Sequence, residues 1–460
     1  MIRHGRPDVR GALSTSLRTT RGDATVIVLK FGGSSVKDAE RMRVVGRIVA
    51  GVLAERPLVV LSAMGGITDQ LIALGHAPSS AHVEAIAARH LRACSDLGVD
   101  PAAVEPLLAE LADLVRGIAL IGECSPRTQD LLASYGERLC VRIFAAHLTA
   151  TGTPAHAFDT WDLGILSDGR HGGARVLPSD REAVLAAIEA GGGVPVVTGY
   201  ISKSTTGQIT TFGRGGSDYS ASAIGAAVGA TEIQIWTDVD GVLTADPRIV
   251  PEARPILTMS FDEASEIAYY GAKVLHPATI QPAVQQEIPV RVKNTYRPEH
   301  PGTLILPRVD GTGAGPVRAI VHKRGVAIVH VHSARMLAQH GVLARIFDVF
   351  ARHAVVIDMV ATSEVSVSVT CESSVDLTSA AAELATFARV EIERGQGMVC
   401  VVGGQLPAAP DIAGRVFGAM AAAKIPVRMI SQGATKINVA FLVAETDITA
   451  AVRALHFLVA

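Results

Sequence analysis

The segment Thr210-Thr211-Phe212-Gly213-Arg214-Gly215-Gly216-Ser217-Asp218 places three glycines, a guanidinium and a carboxylate within nine residues. Glycines let a backbone approach a ligand closely and accept positive φ. A run of small residues with helical character, Tyr219 to Val228, follows at once. Its opening turn would aim unpaired N–H groups and a positive dipole end at whatever sits before it. Arg214 adds a planar fork matched to a carboxylate or a phosphate. A second glycine turn, Lys30-Phe31-Gly32-Gly33-Ser34-Ser35, follows the apolar run Ala24–Lys30. Both turns are suited to anions. Neither fits G-x-x-x-x-G-K-[ST], which excludes a P-loop nucleotide site.

The rest of the reactive inventory is short. Lys30, Arg214, Arg248 and Lys273 are cations near these turns or near the acids Asp218, Asp238 and Asp246. No serine sits in G-x-S-x-G, and the histidines form neither H-E-x-x-H nor another spaced metal set. Cations and backbone donors without a nucleophilic side chain suit phosphoryl transfer to an acceptor that is already an anion. A carboxylate oxygen is a nucleophile as it stands, so no general base is needed. The obstacle is its repulsion from a polyphosphate, which lysines, helix N-termini and a divalent cation relieve.

Short aliphatic runs must position these groups. Ala24–Lys30, Pro57–Ser62, Pro195–Tyr200, Glu232–Thr237 and Pro289–Lys293 read as strands. Between them Asp38–Glu55, Val83–Leu97, Asp130–Leu148, Asp180–Ala190, Tyr219–Val228 and Phe261–Tyr270 carry helical spacing. The alternation predicts βαβ units and a largely parallel sheet covered on both faces. Ligands of such sheets sit beyond the carboxyl ends of the strands, where the glycine turns fall. Asn294–Gly302 and Pro307–Pro316 are polar and rich in Pro and Gly, and together they read as a domain boundary. Beyond it the chain repeats itself. Arg345, Phe347 and Met359 recur as Arg415, Phe417 and Met429 at a constant offset of 70. Each copy reads strand, helix, strand, strand, helix, strand, a small α+β unit.

Composition excludes several classes. Acidic and basic residues nearly cancel, with a formal net charge of -2, which gives no support for a nucleic-acid partner. Five scattered cysteines with no C-x-x-C point to neither zinc nor a disulfide framework, and a reducing cytoplasm fits them. Uncharged runs are too short to span a bilayer. Met1 to Asp23 carries five arginines and no apolar core, and reads as a disordered extension.

The motifs Lys30–Ser35, Ser62-Ala63-Met64-Gly65-Gly66-Ile67-Thr68-Asp69, Ser134-Tyr135-Gly136-Glu137, Thr211–Asp218, Trp236-Thr237-Asp238-Val239-Asp240-Gly241-Val242, Asp246-Pro247-Arg248 and Gly271–Pro277 occur in that order. The set resembles the aspartate kinase (aspartokinase) family from about Ala24 to the C-terminus. The segment Gly341–Val369 is most similar to the monofunctional, lysine-sensitive branch. The resemblance implies an amino-acid-kinase (carbamate-kinase-like) αβα sandwich over 24–306. Two ACT (ferredoxin-like) modules over 318–394 and 395–460 would follow, the last segment being available to complete the first.

The resemblance further implies phosphorylation of the β-carboxylate of L-aspartate by ATP with Mg2+. That step enters lysine, threonine, methionine and diaminopimelate synthesis. Lys30 and Asp218 would be catalytic, and Thr68, Glu137, Arg214, Gly215, Gly216 and Ser217 would hold aspartate. Glu137 would face its ammonium and Arg214 its α-carboxylate. Lys30, Phe31, Gly32, Gly33, Thr237, Asp238, Leu243, Arg248, Lys273 and Val274 would take the nucleotide. Met336, Gln339, Val342, Leu343, Asp358, Ser363, Glu364 and Val365 would form an effector site, lysine being the expected effector. The family often has Tyr at the position of Leu243 and Thr at Ser34. Lysine-sensitive relatives tend to carry Ser and Phe where this chain has Gln339 and Val342. A cytoplasmic homodimer or larger homo-oligomer is expected, without a nucleic-acid or membrane partner. Kinases of the same fold acting on N-acetylglutamate, glutamate, carbamate or uridylate are the alternatives, together with an amino-acid sensor without catalysis and an aspartokinase of a specialised pathway. The repeated C-terminal units and the S-x-G-E motif count against the first group.

Overall fold

The computed structural model describes residues 26–271, 275–309, 315–333, 340–433 and 437–459. The first part of the chain runs β1 (Ile27–Phe31), α1 (Ala39–Gly51), β2 (Pro57–Leu61), α2 (Ile67–His76), α3 (Ser80–Leu97), α4 (Glu105–Ile121), α5 (Pro126–Ala150), β3 (Ala155–Phe158), α6 (Arg181–Gly191) and β4 (Val194–Thr198). It continues with β5 (Ile201–Lys203), β6 (Ile209–Thr211), α7 (Gly216–Val228), β7 (Glu232–Thr237), β8 (Thr258–Ser260), α8 (Phe261–Tyr269), α9 (Gln281–Gln285), β9 (Val290–Asn294) and β10 (Thr303–Leu306). Among the described residues these strands form an eight-stranded sheet in the order β3-β4-β2-β1-β7-β9-β10-β8, with β5 and β6 as a separate hairpin.

All pairings in that sheet are parallel except β9 with β10. Strands β1, β2 and β4 are buried along their whole length, as continuous aliphatic runs must be when helices cover both faces. The chain leaves β1 toward β2 on one side, and β7 pairs on the other, so β1 is the switch point of the sheet. The polar stretch Asn294–Gly302 does not end the domain. It is the turn after which β10 re-enters this sheet between β9 and β8. Strand β10 ends at Leu306, just before the second break.

The C-terminal part runs β11 (Ala319–His332), α10 (Val342–Arg352), β12 (Val360–Thr362), β13 (Ser366–Glu372), α11 (Thr378–Ala385), β14 (Arg389–Val402), α12 (Ile412–Ala422), β15 (Met429–Ser431), β16 (Asn438–Ala444) and α13 (Ile448–Leu455). Its antiparallel sheet has the order β12-β13-β11-β14-β16-β15. The two 14-residue strands β11 and β14 are shared by both units. From Val326 onward β11 pairs with β13 and belongs to the first unit, whereas Ala319–Lys323 pairs with Met398–Val402. The last segment does not complete the first unit. Helix α13 packs with Ile320, Val399, Val401 and Phe441 in the second, while α10 and α11 pack with Val329, Val331 and Val367 in the first.

Helix α8 joins the two parts. Its residues Glu263, Glu266 and Tyr269, spaced by three, all reach the C-terminal sheet. The Gly404 N–H donates to Glu263 Oε1 at 2.7 Å, Asn438 Nδ2 donates to Glu266 Oε2 at 2.5 Å, and the Tyr269 hydroxyl donates to Asp358 Oδ1 at 2.9 Å. One apolar cluster runs from β1, β7 and β9 through α8 into Val321, Ile328, Met398 and Leu442, so the two parts share a core.

Candidate active site

Lys30 is the penultimate residue of β1 and only 9 % exposed. Burying an ammonium is unfavourable unless a counter-charge meets it. Asp218, in the first turn of α7, does so, with Nζ to Oδ1 at 2.5 Å. A Cβ at Gly32 would stand 3.6 Å from that Nζ. Behind it the two glycine turns pack backbone on backbone. A Cβ at Gly33 would lie 3.0 Å from the Ala63 carbonyl oxygen and 3.3 Å from Gly65 Cα. Both turns therefore have to be glycine for Lys30 and the loop after β2 to lie side by side.

These turns form one wall of a cleft of about 580 Å³. Lys30, Gly32, Gly33, Ser62–Gly66, Thr68, Glu137 and Gly213–Asp218 line it. Two helices start at it, α2 behind Gly66 and α7 behind Gly215, and neither has a side-chain cap. Their dipoles thus point at the cleft, while the Ile67, Gly216 and Asp218 N–H groups donate to the Met64, Gly213 and Gly215 carbonyls. Helix α7 begins at Gly216, three residues before its apolar run, so Gly216–Asp218 are its first turn. Ser62 and Ser217, one from each loop, are joined by a 2.9 Å hydrogen bond between their hydroxyls.

Glu137 comes from the middle of the 25-residue helix α5 and is 2 % exposed. The Ala63 N–H donates to its Oε1 at 3.0 Å, while Oε2 has no hydrogen-bond partner. Burial pushes its carboxyl up to about 8 despite the Ala63 hydrogen bond. A buried carboxylate with one orphan oxygen on a cleft wall is arranged to receive a cation. Arg214 is exposed on the same cleft lining, on the loop whose Gly213 and Gly215 have φ of 74° and 72°. The cleft thus carries both a buried acid and an exposed cation.

The nucleotide residues expected from the sequence are more scattered. Thr237 ends β7, next to β1, and Asp238 follows it, the Thr237 hydroxyl donating to Asp238 Oδ1 at 3.2 Å. Leu243 is half-buried opposite Pro255. Arg248 lies in solvent and forks onto Asp246 at 2.7 to 3.2 Å, which holds the Asp246 carboxyl below its ordinary range. Phe31 departs from the expectation: its side chain is fully buried and stacks on Trp236 at 5.7 Å. An alternating strand that points Lys30 to the cleft points Phe31 into the core. Lys273 and Val274 lie outside the described residues.

Of the expected effector residues, Val342 and Leu343 open α10, and Ser363, Glu364 and Val365 form the exposed turn between β12 and β13. Asp358 stands at the other end of β12 and faces inward. It takes Tyr269 at 2.9 Å and Lys323 Nζ at 2.8 Å. Asp358 is thus engaged by Tyr269 and Lys323, whereas Glu364 lies on the exposed turn that follows β12. Burial first, and then Asp358, push the Tyr269 phenol up, which keeps it a donor. Met336 and Gln339 lie outside the described residues, as does the extension Met1–Asp23.

Two residues of the cleft, and one outside its lining, escaped the sequence reading. Tyr200 lines it with φ of 63°, a conformation a bulky side chain adopts only when its surroundings enforce it. Ser62 ties the two loops. Asp130 lies seven residues, two helical turns, before Glu137 on α5 and carries the loop that bears Arg214.

A parallel sheet with an anion-binding cleft at its switch point, followed by paired α+β units, defines a small-molecule kinase with regulatory modules. Comparison with known proteins agrees. The Amino acid kinase family model matches residues 25–294, and an ACT domain model matches residues 399–457. Aspartokinase 1 of Arabidopsis thaliana, a chloroplastic protein, is 40 % identical over 93 % of this chain and 79 % of its own length. Lysine-sensitive aspartokinase 3 of Escherichia coli K12 is 36 % identical over 94 % of this chain and 98 % of its own. The crystal structure of E. coli aspartokinase III with aspartate and ADP superposes with a TM-score of 0.79 at 35 % identity, over 94 % of this chain and 99 % of that one. The chain belongs to the aspartokinases of the amino acid kinase family.

Proposed function

We propose that this chain transfers the γ-phosphoryl group of ATP to the side-chain carboxylate of L-aspartate, giving an acyl phosphate. The observation that carries the reading is the polarity of the cleft. Glu137 offers an orphan buried oxygen, and Arg214 and the uncapped starts of α2 and α7 line the same cleft. An amino acid with a second carboxylate satisfies both and leaves one anion for Lys30. Carbamate and N-acetylglutamate bring no ammonium, and Glu137 would then be a buried carboxyl without purpose. The aspartate and ADP bound by the E. coli relative support the same pair of substrates.

In this reading Thr68, Glu137 and Gly215–Ser217 hold the amino acid, and Arg214 takes its α-carboxylate. Lys30, steadied by Asp218, stands between the attacking carboxylate and the γ-phosphate and screens their repulsion. Thr237, Asp238, Leu243, Arg248, Lys273 and Val274 serve the nucleotide. Mg2+ would come in on the nucleotide phosphates and neutralise charge there. Trapping the acyl phosphate with hydroxylamine tests the reading. Hydroxamate is expected only with ATP and L-aspartate together, and equal product from glutamate or N-acetylglutamate would overturn it.

The effector is inferred to be lysine, as the lysine-sensitive E. coli relative supports, acting at the α10 and β12–β13 surface. Gln339 and Val342 predict weak inhibition, visible when lysine well exceeds aspartate. Unchanged turnover there, or equal inhibition by threonine, would sink the assignment. The chain is also inferred to be at least a dimer in the cytoplasm. Strands β12 and β15 end the C-terminal sheet with one hydrogen-bonded neighbour each, and edges of this kind are normally covered. Sedimentation at micromolar concentration should give at least twice 48.0 kDa. A monomer with and without lysine would contradict this.

A further inference from the structure

We propose that Asp130 is a positioning residue that sets the aspartate site by clamping the Arg214 loop to helix α5. The inference rests on the reading above, in which Glu137 and Arg214 hold the two ends of the amino acid.

Asp130 is 4 % exposed and makes four hydrogen bonds, none of them within its own helix. The Thr211 hydroxyl donates to Oδ1 at 2.7 Å, and the Gly172 N–H lies 3.2 Å from Oδ1 and 3.0 Å from Oδ2. His171 Nδ1 lies 2.8 Å from Oδ2, and its Nε2 lies 3.3 Å from Gln208 Oε1. These partners come from the strand that leads into the glycine turn and from the segment packed against it. Thr211 ends β6, two residues before Gly213. Gly172 belongs to the segment that lies over the turn, where its carbonyl oxygen would stand 2.8 Å from a Cβ at Gly213. The Ala174 N–H then donates to the Thr211 carbonyl at 2.9 Å, so the segment and the strand are stitched together.

Asp130 and Glu137 are seven residues apart on one helix and therefore share a face. One face of α5 thus sends Glu137 into the cleft and holds, through Asp130, the loop that carries Arg214. The span between ammonium site and α-carboxylate site is set by a single rigid helix. Asp130 touches no ligand in this scheme and acts only through Thr211, Gly172 and His171.

The test is steady-state kinetics on the full-length protein. Asp130→Ala is expected to raise the KM for L-aspartate by about 10- to 100-fold, with kcat and the KM for ATP moved less than about threefold. Thr211→Val should move the same constant in the same direction by a smaller factor, and Thr211→Ser should restore it. The double variant should be no worse than Asp130→Ala alone, because both remove one contact. A merely structural role would instead lower kcat and shift both KM values together with the melting temperature, and that result overturns the proposal. Should Asp130→Ala fail to fold, an unchanged aspartate KM in Thr211→Val overturns it equally. Arg214→Ala, run in parallel, separates the two readings. A raised aspartate KM there with none in Asp130→Ala refutes only the clamp. A raised KM in Asp130→Ala with none in Arg214→Ala refutes the role of Arg214 and leaves the clamp standing.

Discussion

Lys30→Ala is expected to lower acyl-phosphate turnover by about 100- to 1,000-fold, a loss of roughly 3 to 4 kcal/mol of transition-state stabilisation. The ammonium is buried at the end of β1, in the cleft and against the glycine turn, where low dielectric strengthens its hold on developing charge. Its removal also strands Asp218, 2.5 Å away, as a buried carboxylate without a partner. Breaking such a pair destabilises a fold by up to about 3 to 5 kcal/mol. The loss of turnover could therefore be mistaken for a loss of folding. Lys30→Met combined with Asp218→Asn removes both charges and should recover the melting temperature without recovering turnover. Lys30→Arg should fail as well. The planar fork spreads over its nitrogens the charge that the ammonium concentrates at one point. Turnover within tenfold of wild type in the Arg variant, or in the double variant, would remove Lys30 from the centre of the mechanism.

The sequence disclosed the site's charged members more readily than what holds them. Strands β1, β2 and β4 were legible because fully buried parallel strands leave unbroken aliphatic runs, and β7 and β9 because their β-branched residues recur at every second position. The four residues of β10 were not. They follow a polar turn, and their parallel partner β8 lies some 45 residues earlier, a pairing that no local pattern records. The offset of 70 revealed a duplication but not that β11 and β14 each serve two units. Strand sharing depends on register between distant segments. Helices α2 and α4 were overlooked, although Gly66 and Gly122 bracket the start of one and the end of the other. Glu137 became visible only through the S-Y-G-E resemblance, because a lone Glu in an apolar helix says nothing about the N–H of Ala63. Asp130 did leave a signal, an acid two turns before Glu137 on the same predicted helix. Tyr269 and Asp358, 89 residues apart, left none.

Glu137→Gln is expected to stabilise the ligand-free protein at alkaline pH while impairing aspartate binding. Burial raises the Glu137 carboxyl from its ordinary 4.5 to about 8. Between those values the native state keeps a proton that the unfolded chain has released. Stability from this group therefore falls as pH rises from about 4.5, and the loss saturates above about 8. A shift of this size sets an upper bound of roughly 4 to 5 kcal/mol on the loss. Glutamine has the same shape and no proton to lose, so it escapes the loss. The melting temperature of Glu137→Gln minus that of wild type should be near zero at pH 5 and rise by several degrees toward pH 9. L-aspartate should close the gap by stabilising wild type alone, since its ammonium supplies the cation that the ionised carboxylate lacks. In the same variant the KM for aspartate should rise about 10- to 100-fold, the share of a charge-assisted hydrogen bond, with the KM for ATP little changed. A melting difference that stays flat with pH would mean that Glu137 is already ionised and partnered in the empty cleft. A rise in the KM for ATP instead of aspartate would place the ammonium elsewhere.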